Sequence, residues 1–197
     1  MQIERKSTVT RKTAETEINL ELLLDGRGES RVSTGVGFFD HMLTLLARHG
    51  SFDLNLSAAG DLQVDCHHTV EDVGICLGRA LNEALGERSG ISRYGHIILP
   101  MDEALALVAV DLSGRGHSEL EASFPAARVG SFDTEMVGEF LRAFAVNAGV
   151  TLHVRLLAGV NCHHMIEAVF KGLGRALALA VSMNGKEGVP SSKGILV

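Results

Sequence analysis

An internal duplication at an offset of 96 residues constrains the fold of this 197-residue chain more than any other feature. Residues 66–81 (CHHTVEDVGICLGRAL) align with residues 162–177 (CHHMIEAVFKGLGRAL), and ten of these sixteen positions are identical. The order of the preceding elements repeats too, with an apolar-periodic stretch (40–50 and 135–149) followed by a β-like run (52–56 and 151–156). We therefore expect two copies of one structural unit.

The spacing of apolar residues predicts the elements of each unit. Apolar residues recur at steps of three and four along both repeated segments, which indicates helices. Residues 16–24 alternate as a half-buried strand does and end in Asp25-Gly26-Arg27-Gly28, a strong hairpin signal. Further strands are predicted at 95–101, 104–112 and 118–124.

These elements predict an α+β fold of two duplicated half-domains. Each half is expected to be an approximately four-stranded antiparallel-type sheet covered by two helices. The first repeat spans residues 1–93 and the second residues 94–197, with a C-terminal tail, and the two are expected to pack as one compact unit.

The composition argues against some classes of binding partner and indicates a cellular compartment. A net charge of −6, one Tyr and no Trp argue against nucleic acid or an anionic membrane as the main partner. Three Cys, at positions 66, 76 and 162, form neither a disulfide framework nor a CxxC motif, so a reducing cytoplasm is expected. Because no apolar signal region or membrane-length apolar window is visible, we expect a soluble protein.

The histidine pairs are the main chemical feature. On a helix, residues four apart share a face, so His67 with Glu71, and His163 with Glu167, each offer an imidazole and a carboxylate to one ion. The second histidine of each pair lies about 100° further around the helix and faces another ion. Nitrogen and carboxylate donors fit Mn²⁺, Fe²⁺ or Zn²⁺, and open positions favour an octahedral metal such as Mn²⁺.

A plainer interpretation of one such pair is partly buried histidines bonded to the backbone. Retention of both pairs after duplication favours metal binding, since packing does not require two adjacent imidazoles and a carboxylate. Cys66 and Cys162 precede the helices and are either ligands or small packing residues.

Other polar positions leave two interpretations open. Asp40-His41 is either a helix N-cap with a surface histidine or, because Glu139 holds the same place in the second repeat, a ligand position. Arg93, Arg115 and the tail at 191–194 lie beside glycines, where they hold a phosphate or remain solvated loop charges. Asp102-Glu103 is ambiguous between turn chemistry and function.

Eight motifs in order resemble one family. They stand at residues 11–16 (RKTAET), 39–43 (FDHML), 65–72 (DCHHTVED), 93–95 (RYG), 100–105 (PMDEAL), 111–115 (DLSGR), 161–167 (NCHHMIE) and 190–194 (PSSKG). Together they resemble the imidazoleglycerol-phosphate dehydratase family over essentially the whole chain. One departure is Gly116-His117, where the family commonly has proline and an aromatic residue.

The resemblance implies a ribosomal protein S5 domain 2-like fold and a hydro-lyase of histidine biosynthesis. The implied reaction converts D-erythro-1-(imidazol-4-yl)glycerol 3-phosphate to 3-(imidazol-4-yl)-2-oxopropyl phosphate, with the substrate imidazolate bound to two Mn²⁺ ions. Family members assemble from trimers into a shell of 24 subunits, so a homo-oligomer is expected.

The resemblance also implies a role for particular residues. The ligands of one Mn²⁺ ion would be His41, His67, Glu71 and His164, and those of the other His68, Glu139, His163 and Glu167. Glu15 would be the base that takes the substrate proton. The phosphate-holding set would be Arg93, Arg115, Lys171, Ser192 and Lys193.

Two rival functions use the same metal donors. A non-catalytic di-metal-binding shell would need the ligands but neither a base nor a phosphate clamp. A di-metal hydrolase would use the metals to activate water.

Overall fold

The elements of the fold follow the duplicated order. The computed structural model describes residues 4–185, 188–192, 194 and 196. In the first half these are β1 (Lys6–Lys12), β2 (Thr16–Leu23), β3 (Ser30–Ser33), α1 (Gly37–Gly50), β4 (Asp53–Gly60) and α2 (His67–Leu85). In the second half they are β5 (Tyr94–Met101), β6 (Ala104–Asp111), β7 (His117–Glu121), β8 (Arg128–Val129), β9 (Phe132–Asp133), α3 (Met136–Ala148), β10 (Thr151–Ala158) and α4 (Cys162–Val181).

The two large sheets have equivalent topologies. The first has the strand order β1-β2-β4-β3 and the second β5-β6-β10-β7, so each strand has a counterpart in the other half. The short β8–β9 pair is an addition of the second half. The predicted α+β fold of two duplicated halves is confirmed. The division at residue 93 stays a prediction, and it falls between the end of α2 and the start of β5.

One local expectation is wrong, and one of two open interpretations is excluded. The turn at 25–28 does not close a hairpin, because β3 pairs in parallel with β4 and not with β2. The carboxylate of Asp53 accepts hydrogen bonds from the backbone N–H groups of Arg27 and Glu29 and fastens this turn to the start of β4. Each sheet therefore has one parallel pair at an edge, β3–β4 and β7–β10, in an otherwise antiparallel ladder.

The other correction concerns the start of α1. Asp40 is not the N-cap, because α1 begins three residues earlier, at Gly37. The Asp40 carboxylate instead accepts hydrogen bonds from the backbone and the hydroxyl of Thr34. This leaves His41 on the exposed side of the first turns of α1.

The four helices lie in two layers between the two sheets, and the core fills the spaces between neighbouring layers. The helices of each half cover one face of their own sheet, and across the middle α1 packs on α4 while α2 packs on α3. The alternating strands turn residues such as Ile18, Leu20 and Leu22 towards these helices, and all three are buried. Each cross-layer contact therefore joins a helix of one half to a helix of the other.

Equivalent glycines allow these helices to approach closely. Gly78 of α2 and Gly174 of α4 are 96 positions apart in the repeated segment. A Cβ atom at Gly78 would lie 2.5 Å from the carbonyl oxygen of Phe144 on α3. A Cβ atom at Gly174 would overlap the carbonyl oxygen of Leu46 on α1 and lie 2.9 Å from the backbone nitrogen of Gly50.

None of the helices in the described residues combines the length and hydropathy that crossing a membrane requires.

We expect Gly174→Ala to lower the free energy of unfolding by about 1–3 kcal/mol, because the added methyl group meets helix backbone that cannot rotate away. Urea unfolding followed by circular dichroism measures the change. The matched control is Gly138→Ala in α3, whose Cβ would meet the Leu120 side chain at an ordinary 3.7 Å. It should be neutral or stabilising by up to about 1 kcal/mol, and equal losses in the two variants would contradict the close-contact explanation.

Candidate metal centre

The two paired-histidine helices begin in similar ways. The Asp65 carboxylate accepts a hydrogen bond of 2.7 Å from the backbone N–H of His67. In the second half, the Asn161 side-chain oxygen accepts hydrogen bonds from the backbone N–H groups of His163 and His164. Asp65 and Asn161 are 96 positions apart, so each repeat keeps a side-chain acceptor that satisfies free N–H groups at the helix start.

Three predicted ligands meet where α1 packs on α4. The Nε2 atoms of His41 and His163 lie 3.7 and 3.6 Å from the two carboxylate oxygens of Glu167. One donor atom from each residue falls within 4.8 Å of the others, a spacing that one metal ion can bridge. Two imidazoles and a carboxylate, with no thiolate, fit Mn²⁺, Fe²⁺ or Zn²⁺.

This grouping cuts across the ligand sets implied by the family resemblance. The resemblance assigns His41 to one ion and His163 and Glu167 to the other, whereas the structure groups the three together. The contact of α1 with α4 brings all three together within one chain.

A cation already neutralises the buried carboxylate of this cluster. The Lys171 Nζ atom lies 3.0 Å from Glu167 Oε1, one helical turn further along α4. Lys171 also donates a hydrogen bond to the sulfur of Met101 on β5. The ammonium group is thus adjacent to the donor cluster.

The equivalent place in the other helix pair has a different composition. Where α2 packs on α3, Arg142 donates to both Glu71, at 2.8 Å, and Glu139, at 2.6 Å. These two carboxylates raise the pKa of the Arg142 guanidinium. The structure therefore brings Glu71 and Glu139 together with a guanidinium between them, whereas the family resemblance assigns these two residues to different ions.

The second histidine of each pair faces carboxylates on both ring nitrogens. His68 Nδ1 lies 3.0 Å from Asp61, and its Nε2 atom lies 3.7 Å from Glu15 Oε1. His164 Nδ1 lies 2.7 Å from Glu103, and its Nε2 atom lies 3.7 Å from Asp102.

The charges of these pairs stabilise one another. Hydrogen bonds to Asp61 and Glu103 raise the pKa values of His68 and His164. In return, the His164 hydrogen bond and, after it, three backbone N–H groups lower the pKa of the Glu103 carboxyl to about 2.

Glu15, the predicted base, lies in the β1–β2 turn next to His68. The Thr13 hydroxyl accepts hydrogen bonds from the backbone N–H groups of Glu15 and Thr16. The Thr16 hydroxyl donates to the buried carboxylate of Asp72, which also accepts from Arg11 Nε at 2.9 Å. Asp72 on α2 therefore holds the turn that carries Glu15.

Lys171 is the one described member of the predicted phosphate-holding set that contacts a predicted metal ligand, while Arg93, Arg115 and Ser192 lie elsewhere. Arg93 gives Nε and one Nη to Asp111 and the other Nη to the carbonyl oxygen of Pro190, so it anchors the tail that leads to exposed Ser192. Arg115 is exposed in the loop before β7. Lys193 lies outside the described residues.

A close backbone contact explains why the residue after Arg115 is a glycine. Gly116 passes so close to α3 that a Cβ atom would overlap the backbone of Val146. The departure from the family's usual proline at this position therefore coincides with a close backbone approach.

The three cysteines are free thiols buried in the protein. Cys162 Sγ accepts a hydrogen bond from the backbone N–H of Ala126 at 3.3 Å. Burial raises the pKa of Cys66 and raises that of Cys76 to about 11, so these thiols stay protonated at neutral pH. These contacts favour the packing interpretation of Cys66 and Cys162.

Sequence reasoning missed several residues of the site. The motifs and their spacing assign no role to Asp61 or Arg142, and they leave Glu103 ambiguous. Spacing alone gives no sign that a carboxylate seven positions before His68 turns back to its ring, or that a β5–β6 turn reaches His164.

Two solved structures that superpose on this chain are dehydratases, which are hydro-lyases. Imidazoleglycerol-phosphate dehydratase from Staphylococcus aureus is 42% identical and superposes with a TM-score of 0.83, covering 91% of this chain and 99% of that chain. The Pyrococcus furiosus enzyme is 38% identical with a TM-score of 0.83, covering 95% of this chain and 100% of that chain.

Sequence comparison defines the family. Residues 34–177 match the family model described as imidazoleglycerol-phosphate dehydratase. The dehydratases of Desulforamulus reducens and Desulforudis audaxviator are 59% and 60% identical, each over 98% of this chain and over 100% and 98% of their own lengths. The chain belongs to the imidazoleglycerol-phosphate dehydratase family, which confirms the resemblance inferred from the motifs.

We expect Asp72→Ala to lower the free energy of unfolding by about 1–3 kcal/mol, because it removes a buried acceptor of two hydrogen bonds, one from a charged group. Urea unfolding measures the loss. The control is Asp25→Ala, which removes the ion-pair partner of Arg5. The Asp25 side chain is 47% exposed. That change should cost about 1 kcal/mol or less, and an equal cost would mean that Asp72 does not anchor the turn.

Proposed function

We propose that the protein removes water from D-erythro-1-(imidazol-4-yl)glycerol 3-phosphate and forms 3-(imidazol-4-yl)-2-oxopropyl phosphate, a step of histidine biosynthesis. Family membership across nearly the whole chain supports this activity. The observation that supports it at the level of the site is the position of the Glu15 carboxylate, 3.7 Å from Nε2 of the predicted ligand His68.

The proposed cofactor is Mn²⁺, two ions per active site. The residues that would hold them are the eight donors named from the family: His41, His67, His68, Glu71, Glu139, His163, His164 and Glu167. The meeting of His41 with His163 and Glu167 supports a site built from several helices. When bound, the metals would act as Lewis acids that stabilise negative charge on the substrate's imidazole ring.

Glu15 takes the proton in this proposal. The proton to be removed is on the carbon that bears the second hydroxyl, which is not next to a carbonyl and is therefore weakly acidic. A carboxylate alone is a poor base for such a proton. Removal of the proton by Glu15 therefore also requires that negative charge be stabilised on the imidazole ring of the substrate. The hydroxyl next to the ring leaves, and the resulting enol becomes the ketone.

Cationic side chains and one hydroxyl bind the substrate phosphate in this proposal. We assign this role to Arg115, Lys171, Ser192 and Lys193, with Arg93 among the contacts or anchoring the tail. The double hydrogen bond of Arg93 to Asp111 and its bond to Pro190 support the anchoring role. A phosphate dianion suits guanidinium and ammonium donors of this kind.

The distance between Arg93, in the predicted phosphate-holding set, and the predicted metal ligand His164 supports an oligomer. The backbone N–H of Arg93 bonds to Ala180 at the far end of α4 from His164. At roughly 1.5 Å per residue, about 24 Å of helix separates the two ends, which is too far for one small substrate. We therefore propose that each active site combines residues of different copies in a homo-oligomer, and the family resemblance suggests 24 subunits built from trimers.

A cytoplasmic location completes the proposal. Three buried free thiols suit a reducing compartment.

We expect the purified protein with Mn²⁺ to convert the substrate to the ketone without releasing phosphate, and we expect Glu15→Gln to lower kcat by at least about 100-fold. The amide cannot accept the proton, while the metal donors are unchanged. Ketone formation, inorganic phosphate and bound manganese are measured on the same samples.

The matched control is Glu17→Gln, two residues along β2, whose carboxylate pairs with exposed Lys12. It should keep normal turnover. Phosphate release without ketone would identify a di-metal hydrolase. Manganese binding without turnover in the unmodified protein would identify a metal-binding shell.

We expect a chelator to inactivate the protein and to shrink the assembly, because ligands at an interface couple metal binding to association. Light scattering coupled to size-exclusion chromatography measures the particle mass before chelation, after chelation and after Mn²⁺ is restored. A large particle that persists when the metal has been removed would contradict the coupling.

A further inference from the structure

Both second histidines of the repeated pairs are held in the same way. The Nδ1 atom of His68 lies 3.0 and 3.2 Å from the two oxygens of Asp61. The Nδ1 atom of His164 lies 2.7 Å from Glu103 Oε2. In each case a carboxylate can accept the Nδ1 proton of the ring.

The two carboxylates come from unrelated places in the repeat. Asp61 follows β4 directly, in the loop that leads into α2. Glu103 lies between β5 and β6, in the turn equivalent to the one that carries Glu15 in the first half. Descent from one ancestral contact does not explain this, so the same ring contact is satisfied twice by different means.

We propose that Asp61 and Glu103 are positioning residues that hold His68 and His164 with the proton on Nδ1, so that Nε2 presents its lone pair to a divalent cation. The inference rests on the proposed metal-dependent function, and it adds two residues that hydrogen-bond to the ligand histidines without binding the metal. A neutral imidazole that donates one N–H to a carboxylate has its other nitrogen free as a donor, and the carboxylate fixes the ring orientation.

The other ring nitrogens face acidic groups. Glu15 Oε1 and Asp102 Oδ2 each lie 3.7 Å from Nε2 of His68 and His164, respectively. Each ring thus has a hydrogen-bonding carboxylate on Nδ1 and a more distant one beyond Nε2. The more distant group adds negative potential on the side where a cation would bind.

The surroundings of the two carboxylates differ, and this difference provides a test. Glu103 Oε1 accepts hydrogen bonds from the backbone N–H groups of Asn161, at 2.9 Å, and Val160, at 3.4 Å. In Glu103→Gln the amide oxygen must stay on these N–H groups, which turns the NH₂ group towards His164. The ring must then accept at Nδ1 and carry its proton on Nε2, where it blocks a metal.

Asp61 is less constrained. Both of its oxygens lie near the same Nδ1 atom of His68. In Asp61→Asn the amide can turn its oxygen to the ring, so the favoured proton position survives. The same change of carboxylate to amide should therefore weaken metal binding more at Glu103 than at Asp61.

The experiment is equilibrium dialysis of the metal-free full-length protein against Mn²⁺, without substrate, with bound metal measured by mass spectrometry. We expect Glu103→Gln to weaken at least one class of Mn²⁺ site by about 10–100-fold. Asp61→Asn should weaken binding less, and Asp61→Ala more than Asp61→Asn.

The control is Glu119→Gln on β7, whose carboxylate lies 4.0 Å from Nε2 of His117, a histidine outside the proposed ligand set. It should leave Mn²⁺ binding unchanged. Unfolding midpoints in chelator separate a loss of fold from a loss of affinity. If Glu103→Gln does not fold, the inference is tested by Mn²⁺ affinity in the Asp61 variants, which should be lower in Asp61→Ala than in Asp61→Asn.

Unchanged Mn²⁺ affinity in folded Glu103→Gln and Asp61→Ala would overturn the inference. If the unmodified protein then still makes the ketone, the proposed dehydratase function stands. Absence of Mn²⁺ binding in the unmodified protein would overturn both the inference and the manganese part of the proposed function.

Discussion

The close contact between helices of different halves is the constraint on which the rest of the structure depends. Gly78 and Gly174 leave room for the backbone of α3 and α1 to lie directly against α2 and α4. This contact buries the apolar faces of all four helices between the sheets. It also brings the first turns of α1 to the start of α4, so that His41 reaches Glu167.

The duplication supplies one scaffold twice, and the chemistry then differs between the copies. The β1–β2 turn carries Glu15, whereas the equivalent β5–β6 turn carries Asp102 and Glu103, and each turn reaches the second histidine of a pair. Glu139 stands where the first half has His41. Equivalent positions of the two halves therefore lie in equivalent places near the starts of α2 and α4, but they carry different side chains.

Local patterns in the sequence predicted both paired-histidine helices and most central strands. They failed where the partner of a segment is distant along the chain. The turn at 25–28 has hairpin residues, yet β3 joins β4 in parallel because Asp53 fastens the turn to β4. Likewise, Asp40 has the chemistry of an N-cap, but the helix starts earlier and Asp40 bonds back to Thr34.

The sequence by itself determined the duplication, the helices that begin with two histidines, the donor types and the family, because identity and periodicity are properties of neighbouring residues. Only the tertiary structure decided that His41 joins His163 and Glu167, and that Asp61 and Glu103 lie behind His68 and His164. It also put Arg93 and His164 at opposite ends of α4. Such contacts depend on how helices and turns pack across the core, which residue spacing does not specify.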